Sequence, residues 1–301
     1  LERVLGVPAH IWLGLEAEYQ HTKARLEDRQ RLHAEAKLAA RFPCSVMRRL
    51  GWLRKARDPV SQVEALLDFF GVSTLSAVVE AGSAAYRLSR SHQAAPEALA
   101  AWLRKGALDA QRIRTEPFNE QRLRDLLPEL RSLTKATPEV FEPRVKSELA
   151  TCGVALVVLP HLPKTYAHGA TRWATPEKVI VQLSLRGSWA DIFWFTLCHE
   201  LGHVLRHGRR DVFIQWDKGE KDEREREADA FAAELLIPRA AYEAFLRRCP
   251  ALTAASIMAF AEQQSIAAGI IVGRLQYEKK LTHADLKHLR VRYTWTEEAQ
   301  Q

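Results

Sequence analysis

Five consecutive residues limit this chain more than any others: His199, Glu200, Leu201, Gly202 and His203, an H-E-x-x-H run. On an α-helix, positions i and i+4 stack on one face with about 6 Å of rise between them, so both imidazoles can reach one tetrahedral ion. Glu200 is turned by roughly 100° from His199. That aims it at the open side of such an ion, where a general base belongs. The run therefore demands a helix, and its flanks provide one: Ser188 with Asp191 three residues on reads as a capping-box-like start, and Gly208 after His207 as a stop.

A catalytic zinc takes three protein ligands and keeps a fourth position open. Glu225 to Asp229 spell E-x-x-A-D on a second helix, expected over residues 222–236 with a stop at Pro238, which puts Glu225 and Asp229 on one face. Glu225 joins His199 and His203 as the third ligand, and Asp229 suits the remaining ring N–H of a metal-bound histidine, fixing its tautomer. Glu223 and Glu227 stand as rival ligands. The competing account of this segment is an exposed salt-bridged helix, because Lys221, Arg224 and Arg226 interleave with the acids. His207 extends the histidine row, but i, i+4 and i+8 spread over about 12 Å, too far for three ligands on one ion from one straight helix. A capping place near the helix C-terminus, where the dipole favours an imidazolium, fits it better. Cys198 reads as core. Tyr166, His168, Arg172 and Tyr242 have the chemistry to stabilise an oxyanion, and residues 169–173, as an edge strand, would hold a peptide by β-augmentation.

Residues 8–150 show helical periodicity, as in Val63, Leu66, Leu67 and Phe70. Asp58 and Pro59 read as N-cap and first helical position, and Gly71 as the residue past the end. Pro96, Gly106, Pro117 and Pro138 mark further breaks. After Cys152 the character changes: Val154 to Leu159 is a short apolar run closed by Pro160, a buried strand, and residues 169–173 and 178–185 are two more with a hairpin loop between them. Beyond Pro238 the pattern is helical again, with residues 256–262, a turn at Gly269 and an apolar stretch over 270–275. The expected fold class is α+β, mostly helical: a small antiparallel-type sheet packed on the H-E-x-x-H helix, flanked by helical N- and C-terminal regions. The expected organisation is a helical partner-binding or regulatory region at 21–150, a zincin-like core at 151–245 and a helical region at 246–301.

Composition narrows the function classes. With 47% hydrophobic residues among 301, disorder is excluded, and no apolar stretch approaches the roughly 18 residues that cross a bilayer. The four cysteines are far apart and form no C-x-x-C pair, which together with the absence of a secretory leader points to a reducing cytoplasm. The net charge of +7 is concentrated between Lys23 and Arg57, with eleven basic residues against three acidic ones. Such a stretch offers a phosphate-binding face, but a solvated helix face with Arg stems lying on apolar surface accounts for it more simply.

Five blocks, G-A-T-R-W (169–173), V-Q-L-S-L-R (181–186), F-W-F-T-L-C-H-E-L-G-H-V-L-R-H-G (193–208), E-R-E-A-D-A-F-A-A-E-L-L-I-P (225–238) and G-I-I-V-G-R-L-Q (269–276), follow in order. Over about residues 153–276 the chain closely resembles the ImmA/IrrE family of zinc metallopeptidases. The resemblance implies a cytoplasmic enzyme that cleaves a transcriptional repressor, with zinc (Zn2+) on His199, His203 and Glu225 and with Glu200 as catalytic base. Residues 1–20 resemble the tail of a helix-turn-helix module of the HigA-type antitoxins, which implies DNA binding through helices upstream of Leu1 and a toxin–antitoxin partner. Two functions follow from these readings. One is a zinc-dependent endopeptidase acting on a repressor or toxin–antitoxin component; the other is an antitoxin-like transcriptional regulator whose zinc site cuts nothing. Glu200 favours the enzyme, since a structural zinc closes with four protein ligands and needs no base.

Overall fold

The computed structural model describes residues 2–80, 95–208, 212–216 and 222–295, and the chain divides into two units, residues 1–81 and 82–301. In the first unit a 31-residue helix, α1 (Ala9–Ala39), is followed by the short α2 (Cys44–Arg49) and by α3 (Pro59–Phe70), which packs against α1. The capping signal at Asp58 is realised. Its carboxylate accepts from the N–H groups of Val60 and Ser61, Ser61 Oγ accepts from Asp58 N, and the helix stops on Gly71 in the left-handed region at φ 67°. Helix α1 buries only Leu32 and Ala39, while Leu13, Leu15 and Tyr19 are exposed within their unit. Part of the basic stretch is compensated in space. Arg54 pairs with Glu64 and Asp68, Arg31 pairs with Asp28, and through residue 80 there are twelve Lys and Arg against ten Asp and Glu.

The second unit contains α4 (Pro96–Arg112), α5 (Glu120–Ser132), α6 (Pro138–Thr151), β1 (Val154–Leu159), β2 (Ala167–Thr175), β3 (Lys178–Ser184), α7 (Ala190–Arg206), β4 (Phe213–Trp216), α8 (Glu223–Leu236), α9 (Arg239–Arg248), α10 (Ala254–Gln264) and α11 (Ala268–Tyr277). The fold is α+β and mostly helical, as expected. Its sheet has the order β1-β3-β2-β4 and is mixed: β2 runs antiparallel to β3 and β4, but β1 and β3 are parallel. The strand expected at an edge, β2, lies inside the sheet between β3 and β4, and the four-residue β4 takes the edge position.

Successive strand residues point to opposite faces, and β2 divides its side chains accordingly. Thr171 faces α7, where its hydroxyl meets Glu200, whereas Arg172 donates to the Leu103 carbonyl of α4 at 2.6 Å. Gln182 of β3 also turns to α4, donating to the Trp102 carbonyl at 2.8 Å. Gly106 is therefore no break. It sits inside α4, and a Cβ there would lie 1.8 Å from Gln182 Oε1, so the glycine lets the helix approach the sheet. Gly269 likewise falls in the first turn of α11, and the turn before it is at Ser265, φ 56°. One apolar core joins Trp194, Leu197 and Leu201 of α7, Val179 and Val181 of β3, and Ile270 and Ile271 of α11.

The start of α7 differs from the expected capping box. The helix begins after Trp189, Ser188 has φ 60°, and Asp191 is bound by Arg290 instead of the helix terminus. The four cysteines are unpaired, with Cys198 in the core and its thiol pushed up to about 12 by burial. Among the described residues no single helix is long and apolar enough to cross a membrane.

Candidate metal centre

Helices α7 and α8 pack closely because small residues meet at their crossing. A Cβ on Gly202 would lie 3.0 Å from the Phe231 ring and 3.3 Å from the Ala228 Cα. This approach brings the first turn of α8, opened by Asp222 accepting from Glu225 N at 2.9 Å, against His199 and His203. His199 Nε2 lies 3.0 Å from His203 Nε2 and 3.2 Å from Glu225 Oε2, and His203 Nε2 lies 3.3 Å from Glu225 Oε1. Ligand atoms about 2.0–2.1 Å from a tetrahedral ion sit about 3.3 Å from one another. The three side chains are thus spaced as a zinc ligand set requires, and two imidazoles with one carboxylate are the donors such an ion prefers.

The partners behind the ligands follow the same logic. Asp229 Oδ1 is 2.9 Å from His199 Nδ1, so the ring donates there and presents the Nε2 lone pair to the cluster. Glu227, a rival ligand by sequence, is turned elsewhere and lies 3.0 Å from His207 Nε2, and Glu223 is exposed. His207 is the C-cap residue of α7, consistent with a place at the helix end. Its Nδ1 also lies 2.9 Å from His203 Nδ1, a contact the spacing did not suggest.

Glu200 is fully buried beside the cluster. Its Oε2 accepts from Thr171 Oγ1 at 2.7 Å, while Oε1 has no hydrogen-bond partner among the described residues. Gly169 makes room for it, since a Cβ there would lie 2.4 Å from Oε1. Burial drives the Glu200 carboxyl up to about 8, against the opposing pull of His199 and the Thr171 hydrogen bond. For His199, burial pulls downward, but the hydrogen bonds to Asp229 and Glu225 outweigh it and leave the ring at about 9. Burial would raise Glu225, yet the two histidines hold it down at about 2. His203 is lowered, chiefly by burial.

The side chains considered for oxyanion stabilisation are engaged in other contacts. Arg172 bonds to α4, the Tyr242 hydroxyl donates to Glu278 at 2.9 Å, and the Arg186 guanidinium lies 4.9 Å from the Tyr166 ring centroid.

Residues 191–250 match the model of the Peptidase_M78 family, described as the IrrE N-terminal-like domain. No curated protein matches the chain. The matched segment spans nearly all of α7 together with β4, α8 and α9, and so contains His199, Glu200, His203, Glu225 and Asp229. This segment is of the ImmA/IrrE type that its motif blocks resemble, and the match supports a metallopeptidase-type function.

Proposed function

We propose that this chain, with its ImmA/IrrE-type segment, is a zinc-dependent endopeptidase that hydrolyses a peptide bond in a cytoplasmic protein partner, a transcriptional repressor or a toxin–antitoxin component. One observation carries the reading: a buried carboxylate with an unpartnered oxygen, Glu200 Oε1, stands beside three converging ligand atoms. A structural zinc site would close with a fourth protein ligand, and among the described residues three converge. Zinc held by His199, His203 and Glu225 supplies Lewis acidity at a scissile carbonyl and acidifies water.

Glu200 is built to carry a proton. It is buried, which brings its basicity near neutrality, and Thr171 holds one oxygen while the other stays available. In this reading Glu200 takes a proton from the attacking water and passes it to the leaving amine. Asp229 keeps His199 in the metal-binding tautomer. The peptide-docking role considered for residues 169–173 passes to β4, whose outer edge is open among the described strands and whose Phe213 stacks on His203 at 4.2 Å between ring centroids. A helix-turn-helix upstream of residues 1–20 would bring DNA as a further partner, and residues 21–150 would recognise the protein partner.

The test is metal content by mass spectrometry combined with cleavage of an internally quenched peptide library. Wild type should carry about one zinc per chain, and Glu200→Gln should keep the zinc and lose cleavage. Unchanged cleavage in Glu200→Gln, or no zinc in metal-replete wild type, would overturn the reading.

A further inference from the structure

We propose that His207 and Glu227 are positioning residues for the metal centre, forming a relay from His203 to His207 to Glu227 that holds His203 in its metal-binding tautomer. The inference rests on the metal-centre reading above, and it concerns side chains that the H-E-x-x-H and E-x-x-A-D patterns do not include.

The direction of the relay follows from hydrogen-bond chemistry. His203 Nδ1 and His207 Nδ1 face each other at 2.9 Å, so one must donate and the other accept. A histidine that offers its Nε2 lone pair to a metal carries its proton on Nδ1. His203 therefore donates, His207 accepts on Nδ1, and the proton of neutral His207 sits on Nε2. That atom lies 3.0 Å from Glu227 Oε2, an acceptor. The reverse order fails at both ends. His207 donating from Nδ1 would turn its Nε2 lone pair on the Glu227 carboxylate, and neutral His203 would carry its proton on Nε2, against the ligand cluster.

Geometry holds both rings in place. Phe213 of β4 stacks on His203 with an interplanar angle of 14° and contacts His207 at 5.3 Å. At position 207 the backbone leaves the helix with ψ 162°, while the residue still donates its N–H to the His203 carbonyl at 3.1 Å. The ring can therefore fold back on the histidine one turn earlier. The i+8 spacing that keeps His207 off the ion places it behind an ion ligand. The two histidine ligands are thus supported differently: His199 directly by Asp229, and His203 through one buried imidazole to a half-exposed carboxylate.

The experiment is zinc affinity of the full chain, measured by competition with a chromophoric chelator, for wild type, His207→Phe, Glu227→Ala, Glu227→Gln and the double variant His207→Phe/Glu227→Ala. Phe keeps the ring packing on Phe213, and the half-exposed Glu227 is replaceable without disturbing the core. Each of His207→Phe and Glu227→Ala should weaken zinc binding about 10–100-fold. Glu227→Gln should cost less than Glu227→Ala because its amide oxygen still accepts. The double variant should bind no worse than His207→Phe, since links in series do not add. Long-range 15N NMR of the zinc form should show His207 protonated on Nε2 and a tautomer mixture in Glu227→Ala. Wild-type affinity in both single variants, or fully additive losses, would overturn the relay while leaving the metal centre standing. No zinc in wild type would overturn the metal centre and the relay with it.

Discussion

Asp191, in the first turn of α7, and Arg290 form a buried ion pair, and removing half of it should be far more damaging than removing both. The carboxylate takes Arg290 Nε at 3.0 Å and Nη2 at 2.8 Å, and the two side chains are 9% and 8% exposed. Arg290 Nη1 reaches Gln276 Oε1 at 2.8 Å, and its guanidinium lies 4.3 Å from the Trp189 ring centroid. Gly273 of α11 makes space for the pair, since a Cβ there would be 2.2 Å from Asp191 Oδ2. Burial outweighs the guanidinium and holds the Asp191 carboxyl above its ordinary range. The pair is therefore no better than a well-packed apolar filling, yet Asp191→Ala strands the Arg290 charge where water cannot reach it.

Breaking a buried pair from one side costs about 3–5 kcal/mol. At about 2–4 °C per kcal/mol for a unit of this size, Asp191→Ala should lower Tm by about 6–20 °C. Asp191→Ala/Arg290→Met should recover a large part of that loss, because it removes the stranded charge as well. Thermal and urea unfolding of the metal-free full chain, for both single variants and the double, measures this directly. A shift below about 2 °C for Asp191→Ala, or a double variant as unstable as the sum of its singles, would refute the reasoning.

Two more perturbations test the site itself. Gly169→Ala places a methyl 2.4 Å from Glu200 Oε1 and 2.8 Å from Thr196 Cγ2 on an interior strand, so it should cost about 1–3 kcal/mol and lose peptide cleavage while zinc stays bound; unfolding, metal content and cleavage rate together check it. His199 is held at about 9 in the folded, metal-free chain against an ordinary value of 6.5, so its contribution to stability is fully present below 6.5 and is lost as pH rises through about 9. The urea-midpoint difference between wild type and His199→Gln should shrink across that window, and a constant difference would contradict the assignment.

Elements with a local cause were legible in the sequence. The Asp58 cap, the H-E-x-x-H helix and the E-x-x-A-D helix depend on residues within a few positions, and they form where the pattern puts them. Features decided by distant partners were not. Ser188 and Asp191 have the spacing of a capping box, but the Asp191 carboxylate is taken by Arg290, 99 positions later. Strand β4 has only four residues, and its identity as a strand comes from pairing with β2. Gly106 and Gly269 punctuate the sequence like helix stops, yet each lies inside a helix, where it permits a close approach to Gln182 or to the backbone of residues 289–290. The candidate ligands were legible because His199 and His203 share one helical period and Glu225 shares the same spacing with Asp229, whereas the contact through His207 needs a backbone exit at the helix end that no spacing rule contains.

The position of Glu200 shows how a strand contributes to this site without contributing a ligand. Residues two apart on a strand share a face, so Gly169 and Thr171 act together: one leaves space for Oε1, and the other holds Oε2 at 2.7 Å. Arg172, one position on, must face the opposite way, and its bond to α4 anchors the strand from behind. A side chain larger than hydrogen at 169 and a side chain without a donor at 171 would each disturb the same carboxylate from the same face. Both positions lie outside residues 191–250, the segment that matches the family model, although that segment contains the three candidate ligand side chains and Glu200 itself. The Glu200 half of the candidate site therefore depends on β2 as well as on the two helices. An isolated 191–250 fragment would retain His199, Glu200, His203 and Glu225 and lack Gly169 and Thr171, so under the proposed function metal binding and hydrolysis should prove separable.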